Sequence, residues 1–252
     1  MKCIKPKPRI VQYTSATQED CTSPGGIEID LRYISSRKVS LRLPSYIEPL
    51  IPSDLLCSML STARISVDIN NESSRKCILL PILYEALMKT KNILHIIEEK
   101  NHEWHGSDMW YKGSLDYCLV NENNDSCLLV VEAKRHMTGL HQVLCQAGCL
   151  LRERLASGKV TPVFAVLTNG QIFRFLSIDT DGTAYSSGER VFDFYSEVDW
   201  KVNGTLIEIL QWFVWIINAI NVTTPRASNP HLNRSAIRKS LKEIRECLGV
   251  RR

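Results

Sequence analysis

The run Cys127–Lys134 constrains this chain more than any other stretch of it. Read as an extended strand, it places Leu128, Val130, Glu132 and Lys134 on one face and Leu129, Val131 and Ala133 on the other. An acid and a base therefore close an otherwise apolar strand side by side. Charged residues seldom end such a run unless they reach a cleft or pair with each other, because burying a lone charge is costly.

The strand before it, Gly113–Val120, carries Asp116 on the same face as Cys118 and Val120, with Leu115, Tyr117 and Leu119 on the other. If Val120 pairs with Leu128 and Asn121–Cys127 stay unpaired, Asp116 falls opposite Glu132 on one face. Pairing Val120 with Cys127 would set Asp116 opposite Val131 and turn the acids apart. Two adjacent carboxylates repel unless a cation lies between them, and hard oxygen ligands suit Mg²⁺ or Mn²⁺ rather than zinc. Such an ion would polarise a phosphodiester and activate water, with Lys134 stabilising developing negative charge. The expected chemistry is phosphodiester hydrolysis.

Around this pair the chain reads as helix (Ser73–Thr90, interrupted at Pro81), three strands, helix (His136–Ser157), two strands (Val160–Thr168 and Gln171–Ile178) and a late buried helix (Asn203–Ile220). Asn169-Gly170 is the strongest hairpin signal, since both residues tolerate positive φ. This order predicts an α/β protein with a mixed sheet and helices on both faces. Three regions follow: an N-terminal extension (1–72) with short strands at Ile27–Tyr33 and Val39–Leu43, a central domain (73–222) and a basic, helical tail (223–252).

The net charge of +4 over 252 residues excludes a bulk polycation. Yet the tail from Pro225 holds eight basic residues against two acidic ones, which fits a phosphate-backbone clamp or a localisation signal as well as a solvated helix. Nine cysteines at irregular spacing, without a CxxC pair or a signal peptide, predict reduced thiols in an intracellular setting. Leu206–Ile220 is too short and too polar to cross a membrane. No Walker loop and no Gly-x-Ser-x-Gly elbow is present, which argues against NTPase and serine hydrolase chemistry.

Gly113-Ser-Leu-Asp116-Tyr117, followed by Val130-Val-Glu132-Ala-Lys134, resembles the PD-(D/E)XK nuclease superfamily, with Leu115 where many members carry proline. The resemblance spans roughly residues 75 to 180 and implies a restriction-endonuclease-like mixed β-sheet core flanked by helices. It implies a metal-dependent nuclease acting on DNA or RNA with Mg²⁺ or Mn²⁺, with Asp116 and Glu132 as metal ligands and Lys134 as a catalytic residue that orients the water or stabilises negative charge. In many members a glutamine follows on the next helix, matching Gln142 and Gln146, one turn apart. An acid on the preceding helix matches Glu85 best, with Glu98, Glu99 and Glu103 in competition. The alternatives are a catalytically inactive relative that binds nucleic acid or a protein, and a nuclease module of a transposon or effector system.

Overall fold

A computed structural model describes residues 7–34, 39–68, 72–90, 94–121, 124–134, 137–196, 199–223, 239, 241–244 and 246–247. Its elements are β1 (Arg9–Gln12), α1 (Gln18–Thr22), β2 (Asp30–Tyr33), α2 (Asp54–Ser66), α3 (Glu72–Thr90), β3 (Leu94–His105), β4 (Met109–Asn121), β5 (Asn124–Ala133), α4 (Leu140–Ala156), β6 (Val163–Thr168), β7 (Ile172–Ile178), β8 (Thr183–Val191) and α5 (Gly204–Thr223). The strands form one mixed sheet in the order β1-β4-β5-β6-β7-β8-β2, with β3 on the far side of β4. The chain is thus an α/β protein with an eight-stranded mixed sheet flanked by helices.

Two apolar layers enclose the sheet. On one face Tyr117, Leu119, Leu129, Val131 and Phe164 pack with α2, α3 and the aromatic-rich α5; on the other Cys118, Val120, Val130, Ala165 and Leu167 pack against α4. β6 is buried along its whole length, as expected of a strand covered on both faces. The parallel pairing of β5 with β6 needs a crossover, and α4 supplies it. The Asn169-Gly170 turn closes the β6–β7 hairpin: Gly170 takes φ +83°, and Asn169 Oδ1 accepts from the amides of Gln171 and Ile172.

Residues 1–72, read from the sequence as an N-terminal extension, contribute β1, β2, α1 and α2 to this architecture. Within them, β1 pairs parallel with β4, β2 pairs parallel with β8, and α2 packs against α3. The strand expected at Val39–Leu43 does not form; Ser40 and Leu41 instead donate their amides to one carbonyl, that of Ser186. α3 runs through Pro81 without breaking. Most of the basic tail lies outside the described residues; of the rest, Ile244 is buried on the core and Tyr46 donates to Glu243 at 3.2 Å. Among the described residues no helix is long and apolar enough to cross a membrane.

One irregularity positions everything that follows. β4 pairs β3 along its length, but on its other side its neighbours change: β1 accompanies Met109–Lys112 and β5 accompanies Tyr117–Asn121. Among the described residues, no strand pairs with Gly113–Asp116 on that side, which leaves a gap in the sheet between the ends of β1 and β5.

Candidate active site

The gap opens where the β4–β5 ladder stops. Tyr117 pairs with Val131, and the next amide of β5, that of Ala133, donates at 2.8 Å to Asp116 Oδ2 in place of a backbone carbonyl. The Asp116 side chain thereby ends the ladder and sits beside Glu132. The expected loop was different in detail: Val120 pairs with Cys127, and Asn121 with Asn124. Leu128 is skipped in the register, so Leu119 meets Leu129 and the ladder regains the phase that aligns position 116 with position 132. A one-residue bulge therefore does what the unpaired loop was expected to do.

Glu132 is fully buried and its carboxylate is tightly held. Lys134 Nζ lies 2.7 Å from Oε1, Gln142 donates to the same oxygen, and Gln146 Nε2 donates to Oε2 at 2.9 Å. The same Gln146 nitrogen donates at 3.1 Å to the Ser114 carbonyl in the gap. Burial pushes the Glu132 carboxyl up to about 7, and the neighbouring charge of Asp116 adds to the rise. The hydrogen bond and charge of Lys134, and then Gln146, hold it back. Helical spacing puts the two glutamines one turn apart on α4, and both face Glu132 from a buried position rather than lining an exposed polar stripe.

Lys134 is held from two sides. Gly139, just ahead of α4, leaves room for it, since a Cβ there would stand 2.8 Å from Lys134 Cγ. Arg75, on the first turn of α3, donates at 3.1 Å to the Lys134 carbonyl and at 3.0 Å to that of Asn169, tying the end of β5 to the β6–β7 turn.

Glu85 does not join this cluster. It is buried on α3, and its carboxylate accepts from the amide of Ser53 at 2.9 Å and the hydroxyl of Ser53 at 2.6 Å, with Lys89 3.6 Å away. Ser53 caps α2, so Glu85 anchors the start of that helix. It lies ten residues beyond Arg75, roughly 15 Å along the helix. Between the pairs Glu98–Tyr117 and Lys100–Leu115, Glu99 falls across from Asp116 along the β3–β4 ladder. Glu99 takes φ +50°, unusual for a side chain with a Cβ, and pairs with Lys76 at 3.0 Å. Lys76 in turn lies 5.4 Å from the Tyr117 ring centre.

The strained residue marks a change of phase. Leu115 and Cys118 pack in the same layer although three residues apart, and so do Ile97 and Trp104, seven apart. Strict alternation forbids both, so each strand gains one residue, and the unbroken β3–β4 register puts the two shifts side by side at Glu98-Glu99 and Asp116-Tyr117. Leu115 accordingly faces α4, opposite to the expectation from simple alternation.

The nearby histidines and the cysteines of α4 fall outside the cluster. His102 contacts Tyr13 at 2.7 Å and Glu153 at 3.3 Å, His105 pairs with Glu103, and Cys145 and Cys149 are core packing beside Cys21. Among the described residues no group of three or more His, Cys, Asp or Glu side chains gathers at metal-ligating distance, so an ion here would rest on two carboxylates with backbone or water oxygens. The donors suit a hard cation in kind and in charge: both are carboxylates, and the charge of Asp116 opposes ionisation of Glu132. Gln146 Oε1 adds a buried acceptor without a hydrogen-bond partner among the described residues. No protein-family model matches the sequence, and no curated protein matches it significantly.

Proposed function

We propose that this chain is a metal-dependent nuclease of the PD-(D/E)XK type, with a restriction-endonuclease-like core, that hydrolyses phosphodiester bonds of DNA or RNA. The observation that carries the reading is the convergence of Asp116, from the end of the β4–β5 ladder, with the buried Glu132 and its partners Lys134, Gln142 and Gln146. A mixed sheet with helices on both faces agrees with the fold that the sequence resemblance implies.

Asp116 and Glu132 would hold Mg²⁺ or Mn²⁺, which supplies Lewis acidity at the phosphorus and a more acidic bound water. Lys134 provides a fixed positive charge for the extra negative charge of the pentavalent transition state. Gln142 and Gln146 keep the Glu132 carboxylate oriented, and Arg75 fixes the backbone from which Lys134 projects. Water adds to phosphorus, the bond to the leaving oxygen breaks, and a proton ends on that oxygen.

A second reading, a non-catalytic descendant that binds nucleic acid, is favoured by one observation. Both oxygens of Glu132 already have side-chain partners. Cleavage separates the two readings. Purified protein is incubated with single- and double-stranded DNA and RNA in Mg²⁺, Mn²⁺ or EDTA, beside Lys134→Ala. The nuclease reading expects cleavage that EDTA abolishes and that Lys134→Ala lowers at least about a hundredfold. Binding without metal-dependent cleavage of any substrate decides for the non-catalytic descendant.

A further inference from the structure

We propose that the open face of the outer β3–β4 hairpin is a track for a single-stranded segment of nucleic acid, running from Trp110 to Asp116. This rests on the nuclease reading of the site and adds to it a substrate class and a binding surface.

The phase change at Glu99 and Asp116 is what creates the surface. Beyond it, Leu115, Tyr111 and Trp104 turn towards α4, while Asn101, Glu103, His105, Ser114 and Trp110 are exposed on the opposite face. The helical layer of α2, α3 and α5 covers that face further along, over Tyr117, Leu119, Leu129 and Phe164. The site therefore lies at the border between a covered and an open stretch of one sheet. β1 widens the open stretch, because Ile10 pairs with Trp110 and Gln12 with Lys112.

The chemistry along the track is graded. Next to the site, Gln12, Asn101, His102, Glu103, Lys112 and Gly113 line a concavity of about 430 Å³, within the range of small-ligand sites. Its amides and ammonium can donate to base edges and phosphate oxygens. At the far end His105 and Trp110 stack with ring centres 4.4 Å apart and interplanar angle 14°, and both remain substantially exposed. An exposed aromatic stack offers unpaired bases a platform, and a duplex, whose bases are already stacked, has no use for it. Six steps along the strand separate Trp110 from Asp116, roughly 20 Å, enough for about four nucleotides.

Glu99 and Glu103 on the same face oppose phosphate, and Glu103 lies across from Lys112 in the register. Binding should therefore draw on stacking and base edges more than on counterion release, and its salt dependence should be shallow.

The test uses the full chain in EDTA, with fluorescein-labelled 12-mers of oligo-dT and oligo-U and a 12-base-pair DNA duplex, read by anisotropy. Trp110→Ala should weaken binding of the single strands about tenfold, and Trp110→Phe should restore it to within threefold. The double variant Gln12→Ala/Asn101→Ala, at two exposed positions, should weaken it severalfold as a second measure. Hydrolysis of bis(p-nitrophenyl) phosphate, a diester too small to reach the track, should be unchanged in Trp110→Ala. The proposal is overturned if both variants bind single strands like the parent, or if the duplex binds as tightly and responds equally to Trp110→Ala. Metal-dependent cleavage with single-strand binding indifferent to these variants removes the track alone. A protein that neither binds nor cuts either form removes the nuclease reading with it.

Discussion

Strand β6 and the outer half of the β3–β4 hairpin belong to the same sheet but are stabilised differently. β6 is buried at every position, with Phe164 packed edge-on against Trp215 at 5.6 Å. The hairpin alternates, with Tyr111 and Leu115 buried on one side and Asn101, Glu103, Ser114 and Trp110 exposed on the other. The covered part has the rigidity to hold Glu132 and Lys134 at fixed distances. The open part contributes little packing on its free face and is available to a ligand. The site sits at the boundary, where β5 and β1 both end and Glu99 bears the strained backbone.

This contrast predicts its largest effect in the covered region. Phe164→Ala should cost about 3–5 kcal/mol in denaturant unfolding, through lost transfer energy and the cavity left behind. A loss below about 1 kcal/mol would mean that this core is looser than its burial implies.

The next effect concerns the charge buried beside the boundary. The folded pKa of Glu132, about 7, lies above the ordinary value of 4.5. Between these two values the folded state holds more protons than the unfolded one, so stability falls as pH rises across that window, and the full loss is present above it. Glu132→Gln removes the titration. In EDTA its Tm should therefore exceed that of the parent at pH 8 by more than at pH 4, the extra difference amounting to ~2 kcal/mol or roughly 5 °C. An equal offset at both pH values would show that the ionised carboxylate is not the cause.

A smaller effect tests the packing behind Lys134. Gly139→Ala would place a methyl group against the Lys134 side chain and shift its ammonium. Cleavage should slow about tenfold while Tm changes little, since a misplaced charge costs rate before it costs stability. Unchanged rates would show that Lys134 has room to adjust. Smallest of all, Asn101→Ala on the open face should alter stability by no more than about 0.5 kcal/mol.

The same division explains what could be read in advance. Covered elements announce themselves through apolar period: β5, α4, β6, β7 and α5 lie close to where alternation and helical spacing put them, and Asn169-Gly170 marked its turn. The alignment of Asp116 with Glu132 was legible because only one phase puts both acids together, though the bulge at Leu128 that achieves it was not. Glu85 misled because helical position alone says nothing about which end of α3 meets the site, and the Ser53 cap it serves is 32 residues away in sequence. Arg75, Lys76 and Gly139 were missed for a related reason, and Glu99 was named only as a competitor of Glu85. Their roles depend on which strand end or turn they meet, and on a backbone phase shift that leaves no compositional trace. β1 is a four-residue strand whose parallel partner lies far along the chain, so local pattern carried little of its signal, whereas β2 falls within the expected strand at Ile27–Tyr33.

The central claim is that Asp116 and Glu132 together form a metal site, and titration with Mn²⁺, followed by the loss of the free-ion electron paramagnetic resonance signal, tests it most directly. The parent should bind the ion. Asp116→Asn and Glu132→Gln, which keep shape and remove one negative charge each, should weaken binding at least about tenfold, and Lys134→Ala, which removes no ligand, should leave it within about threefold. If the carboxylate variants bind Mn²⁺ as the parent does, or if the parent does not bind it at all, the two acids are not a metal site and the account fails.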